Sequence, residues 1–133
     1  MNGKILIIED NEQNLYLLSF ILNKHGYQVE TARDGETGIN TAVRGRPDLI
    51  LLDIQLPGMD GYAVAKSLRS RPQLINTPIV AVTSYAMMGD REKALESGCN
   101  GYLKKPIDPE RFIMQVEEFL QGDYKEGDGD HDA

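Results

Sequence analysis

Four places in the chain carry side chains suited to handling a charged oxygen ligand, and each closes a short apolar run. Glu9-Asp10 follows Ile5-Leu6-Ile7-Ile8, and Asp53 follows Leu49-Ile50-Leu51-Leu52. Thr83-Ser84 follows Ile79-Val80-Ala81-Val82, and Lys104-Lys105-Pro106 follows Gly101-Tyr102-Leu103. Carboxylates brought close together repel, so Glu9, Asp10 and Asp53, if gathered, must take up protons or recruit a cation. A hard divalent ion meets that need, and Mg²⁺ suits a site offering one or two direct carboxylates while keeping several waters. Such an ion would neutralise the approach of a phosphoryl group to one of the acids. Lys105 is suited to hold a phosphoryl oxygen, and Thr83 to donate a hydrogen bond to another. Phosphoryl transfer is catalysed mainly by positioning and charge stabilisation, so a carboxylate acceptor needs no further base.

The elements that must gather these residues are legible in the apolar pattern. Strands are expected over Lys4 to Ile8, Tyr27 to Thr31, Leu49 to Asp53, Ile79 to Thr83 and Gly101 to Lys104. Four of them are rich in Ile, Leu and Val without polar alternation, as in parallel strands covered on both faces. Between them, apolar residues recur three and four apart: Leu15, Leu18, Ile21 and Leu22; Ile39 and Val43; Val64 and Leu68; Ala94 and Leu95; Ile113, Val116 and Leu120. These spacings predict helices. Gly26 and Gly98 stand where helices should stop, and Asp108-Pro109 reads as an N-cap followed by a first-turn proline. Five βα units with right-handed crossovers give a doubly wound α/β sheet. Ligands of such sheets bind beyond the C-terminal strand ends, which is where the four motifs lie.

With 133 residues, 14 basic and 21 acidic, the chain carries a net charge of −7. One compact domain over 1–121 fits this length, followed by an acidic Gly/Asp-rich tail over 122–133 that is expected to be disordered. The negative balance argues against DNA and anionic membrane surfaces as partners. No apolar run approaches the roughly 20 residues that span a bilayer. The single cysteine, Cys99, has no internal partner and points to a cytoplasmic setting. Arg44, Arg46, Lys66, Arg69 and Arg71 read as scattered solvated charges.

Taken together, Ile5 to Asn11, Pro47 to Gly61, Pro78 to Ser84 and Gly101 to Pro106 resemble a response-regulator receiver domain, most like stand-alone single-domain regulators. The resemblance runs from about Lys4 to Leu120. It implies a flavodoxin-like (βα)5 fold with a five-stranded parallel sheet in the order 2-1-3-4-5. It also implies that Asp53 is the phosphorylated residue, with Asp10 a direct Mg²⁺ ligand, Glu9 acting through water and the Gln55 carbonyl completing the protein's share. Lys105 would pair with the phosphoryl group, with a cis bond to Pro106. Thr83 and Tyr102 would form a switch pair, and Gln55 and Tyr85 would flank the path of attacking water. The implied partners are a histidine kinase or histidine phosphotransfer protein and a downstream protein target. The target is expected on the face formed by the fourth helix, fifth strand and fifth helix. The chain would be a monomer or a phosphorylation-dependent dimer, and no enzyme beyond catalysing its own phosphorylation and slow dephosphorylation.

Each position has an ordinary reading when taken singly. Asp10-Asn11 suits a helix N-cap, Asp53 a solvated turn, Thr83 a β-former, Lys105 a surface charge and Tyr102 a core ring. Cys99 reads as structural, and His25 as a helix-end residue. Only the coincidence of all the site positions favours the specific reading. Two rival functions remain. A Mg²⁺-dependent aspartyl-phosphate phosphohydrolase would usually carry an acid two residues after its nucleophile, where this chain has Gln55. A phosphorylation-independent interaction module would usually have lost the acids or the lysine.

Overall fold

The computed structural model describes residues 3–56, 58–84 and 89–122. Five strands form one parallel sheet: β1 (Lys4–Ile8), β2 (Gln28–Ala32), β3 (Leu49–Asp53), β4 (Ile79–Thr83) and β5 (Gly101–Lys104). Their order is β2-β1-β3-β4-β5. The helices between and after them are α1 (Glu12–Lys24), α2 (Gly35–Gly45), α3 (Gly61–Arg69), α4 (Asp90–Glu96) and α5 (Pro109–Gln121). The doubly wound 2-1-3-4-5 fold expected from the sequence is therefore present. Four strands have the expected bounds. The second is displaced by one residue at both ends: the Tyr27 N–H turns back to the Leu22 carbonyl at 3.0 Å and closes α1 instead of joining the sheet, and Ala32 pairs with Ile8.

Successive strand residues point to opposite faces, so the unbroken apolar runs fill two cores. Ile5, Ile7, Leu49, Leu51, Val80, Val82 and Leu103 meet α1 and α5 through Leu18, Leu22, Phe112 and Val116. Leu6, Ile8, Ile50, Leu52 and Ala81 meet α2, α3 and α4 through Ile39, Ala42, Val64, Leu68 and Ala94. Both faces of β1 and β3 are thus buried, which fixes the level at which those strands end.

The helix starts follow local chemistry. Asn11 caps α1 by accepting from the Asn14 N–H, Asp34 caps α2, Asp60 caps α3, and Asp108 caps α5 ahead of Pro109. The pattern reading missed a two-stranded hairpin between β3 and α3, pairing Gln55 with Asp60 and Leu56 with Met59. Gly61 closes it: a Cβ there would lie 2.4 Å from the Ile54 Cα, so only glycine fits.

One reading of the charges needs correction. Arg69 is not a solvated charge: its guanidinium donates to the carbonyls of Gly98, Leu74 and Ile75 and to the Asn100 Oδ1. Five donors in a rigid fork suit this task, which lysine cannot perform. Cys99, fully buried, is structural as expected, and burial pushes its thiol up to about 12. In native protein at pH 8 a thiol reagent should therefore label Cys99 only as fast as the chain opens, and one thiol per chain should react at once in denaturant. Prompt native labelling would contradict this packing.

Candidate functional site

The site is built at the C-terminal ends of β1, β3, β4 and β5. Immediately after β1, the Glu9 N–H donates to the Ala32 carbonyl at 2.9 Å, which carries the ladder one residue further. The Glu9 side chain is only 2% exposed; Oε2 accepts from the Asn11 N–H at 3.1 Å and Oε1 from Lys105 Nζ at 2.8 Å. Asp10 is half-buried, and its carbonyl accepts from the Arg33 guanidinium at 3.2 Å. Asp53 ends β3 at 5% exposure. Its Oδ1 accepts from the Gln55 N–H at 2.9 Å, and its Oδ2 lies 3.7 Å from Lys105 Nζ. The hairpin thus serves the site by aiming the Gln55 backbone at Asp53.

One carboxylate oxygen from each of Glu9, Asp10 and Asp53 lies within 4.8 Å of the others. Burial pushes the Asp53 carboxyl up from 3.8 to about 7. Glu9 adds to the rise by hydrogen bond and by charge, while the Gln55 N–H and Lys105 pull it down. Lys105 sits between two of the acids, and a single lysine does not balance three carboxylates. The arrangement is an all-oxygen donor set with excess negative charge, open at Asp10, and it fits a hard divalent cation. Glu9, Asp10 and Asp53 could each offer it one oxygen, Glu9 while also holding Lys105.

The remaining residues named from the sequence fall around this cluster. Thr83 is buried at the end of β4, and its carbonyl accepts from the Lys105 N–H at 2.8 Å, which anchors the lysine's backbone beside the acids. The Lys105–Pro106 bond is cis. Gln55 has an exposed side chain. Tyr102, on β5, is buried on the α4 side of the sheet, with its hydroxyl donating to Asp90 Oδ2 at 3.5 Å. Tyr85, Pro57 and residues 123–133, which hold most of the expected tail, lie outside the described residues. Sequence reading missed the direct Lys105–Glu9 pair, the rim contact of Arg33 and the approach of Asp90 to Tyr102. No spacing rule signals contacts between residues as distant as 9 and 105.

A doubly wound sheet carrying an acid cluster, a hydroxyl and a lysine at its switch-point edge defines a phosphoacceptor type of α/β domain. The chain belongs to the response regulator receiver domain family, whose model matches residues 5–117. It is a receiver domain of two-component response regulators. The polar-differentiation response regulator DivK of Brucella anthropi is 40% identical over 120 residues, spanning 90% of this chain and 98% of that protein. DivK of Brucella ovis is 39% identical over the same span. Among solved structures, a response regulator from Chloroflexus aurantiacus superposes with a TM-score of 0.86 at 30% identity, covering 91% of this chain and 99% of that one. The receiver domain of the sensor histidine kinase PA1611 from Pseudomonas aeruginosa, which has a magnesium ion coordinated in its active-site cleft, superposes at 0.84 with 34% identity. That match covers 91% of this chain and 99% of the other.

Proposed function

We propose that the chain accepts a phosphoryl group on Asp53, with Mg²⁺ bound, from a histidine kinase or histidine phosphotransfer protein, and signals through changed protein contacts. The observation that carries this reading is the position of Asp53. It is a buried carboxylate held by the Gln55 N–H on one oxygen, with Lys105 Nζ 3.7 Å from the other and Glu9 and Asp10 alongside. In the transfer, an Asp53 oxygen attacks phosphorus as the donor's bond to phosphorus breaks, and the electron pair leaves with the donor. The acceptor loses no proton, so no base is required. Lys105 shifts from Glu9 toward the new phosphoryl oxygens, and Thr83 donates to one of them. Bound Mg²⁺ supplies charge neutralisation for the incoming group.

Several features support the finer points. Self-catalysis only, with slow hydrolysis, accords with Gln55 standing where a hydrolytic enzyme would carry an acid. The helix that follows Asp10, α1, carries an exposed apolar stripe of Tyr16, Leu17 and Phe20, with Tyr16 and Phe20 stacked at 6.2 Å, which suits a helical partner delivering the phosphoryl group. The domain is taken as 1–121, with 122–133 an acidic tail. A buried free thiol and the lack, among the described residues, of any helix long and apolar enough to cross a membrane accord with a cytoplasmic setting.

Acetyl phosphate provides the test. With Mg²⁺, intact-mass measurement should show one added phosphoryl group, labile to base, and chelation with EDTA should abolish the uptake. Unchanged uptake in EDTA would overturn the metal-dependent reading.

A further inference from the structure

Two of the three carboxylates in the acid cluster are restrained by their own hydrogen bonds. Glu9 Oε2 accepts from the Asn11 N–H and Oε1 from Lys105 Nζ, while Asp53 Oδ1 accepts from the Gln55 N–H. Among the described residues, none bonds the Asp10 carboxylate, and what holds Asp10 in place is its backbone. Its carbonyl accepts from Arg33 Nη2 at 3.2 Å. Arg33 follows directly after β2, next to Ala32, whose carbonyl takes the Glu9 N–H. The turn between β1 and α1 is thus fastened to the end of β2 at two successive residues, Glu9 through the backbone ladder and Asp10 through a side chain.

A guanidinium beside a carboxylate ordinarily pairs with it, and such a pair at Asp10 would cancel the charge that a cation needs. Arg33 makes its ion pair elsewhere: Nη1 lies 3.4 Å from Glu12 Oε2, in the first turn of α1. One arm of the fork grips the Asp10 backbone and the other is turned to Glu12. The Asp10 carboxylate therefore stays open toward Glu9 and Asp53, with one oxygen of each within 4.8 Å. The Arg33 and Glu12 side chains are 57% and 79% exposed, so their pair adds little to stability, and its consequence is where the guanidinium points.

We propose that Arg33 is a positioning residue for cation binding: it fixes the Asp10 backbone, and Glu12 holds its guanidinium off the Asp10 carboxylate. The proposal rests on the reading of the acid cluster as a Mg²⁺ site and adds to it two residues outside the cluster. Positioning and charge make opposite predictions for Arg33. As a charge alone, a guanidinium near the site repels the incoming ion, so removing it should tighten binding. As a brace, removing it should loosen binding, because a ligand that has lost its supporting hydrogen bond must be ordered by the ion itself.

The test is calorimetric titration of the full chain with MgCl₂ in about 0.15 M salt, which involves no phosphoryl transfer. Arg33→Ala should raise the Mg²⁺ dissociation constant about threefold to tenfold. Arg33→Lys keeps the charge but loses the fork, and should also weaken binding; an effect of charge alone would leave that variant at the wild-type value. Glu12→Gln should weaken binding too, since the released guanidinium then reaches the Asp10 carboxylate. Adding Arg33→Ala to Glu12→Gln should therefore tighten binding relative to Glu12→Gln alone, the reverse of what the same substitution does in the wild type. Unchanged urea midpoints show that the variants keep the fold. Arg33→Ala that leaves the wild-type affinity unchanged or tightens it overturns the proposal, and weakening in both backgrounds overturns the part given to Glu12. A wild type that binds no Mg²⁺ overturns the metal reading itself, and the proposal with it.

Discussion

Asp53→Asn is expected to abolish phosphoryl uptake from acetyl phosphate and Mg²⁺. The amide has nearly the shape of the carboxylate and can still accept from the Gln55 N–H, but it lacks the charged oxygen that attacks phosphorus. The fold should tolerate the change, because Lys105 keeps its 2.8 Å bond to Glu9. Removing a buried carboxyl also takes away an unfavourable charge instead of orphaning one. Uptake should fall by at least about 10³-fold, below detection by intact mass, on the view that positioning and charge stabilisation without a nucleophile give no adduct. Residual single uptake at the wild-type rate would move the acceptor to another acid, with Asp10 the next to examine. The same variant should still bind Mg²⁺, more weakly by the loss of one charged donor.

Much of this site was readable before any coordinates, and for a physical reason. A strand buried on both faces has to be apolar along its length, so the first polar residue after the run marks the strand's end. Four such ends, after Ile8, Leu52, Val82 and Leu103, were enough to bring the acids, the threonine and the lysine to one edge. The hairpin at Gln55–Asp60 was not readable: its strands are two residues long and leave no periodic signal. The role of Arg69 was hidden because a charged residue at a helix end looks the same whether it faces water or a set of carbonyls. Lys105 shows a further limit. Its spacing after β5 placed it at the site, but its pairing with Glu9 at 2.8 Å, closer than Asp53 at 3.7 Å, depends on how far one flexible side chain reaches. The same holds for Asp90 and Arg91, which meet Tyr102 only because α4 lies across β5.

In metal-free buffer the folded chain is expected to lose stability as pH rises from about 4 to about 7, with Asp53 the source. Its carboxyl titrates at about 7 when folded, against 3.8 as the ordinary value. Between those values the folded state holds a proton that the unfolded state has released, so raising the pH favours unfolding; above about 7 both states are ionised and the slope vanishes. Other groups titrate in the same window, so the measurement is the difference between wild type and Asp53→Asn in urea unfolding midpoints across pH. The two curves should diverge through this range, with the variant gaining on the wild type as pH rises. Mg²⁺ added at pH 8 should close that gap by binding the ionised carboxylates of the wild-type folded state. Curves that stay parallel from pH 4 to 8 would show that burial beside Glu9 does not govern Asp53. They would also remove the electrostatic reason for the cluster to recruit a cation.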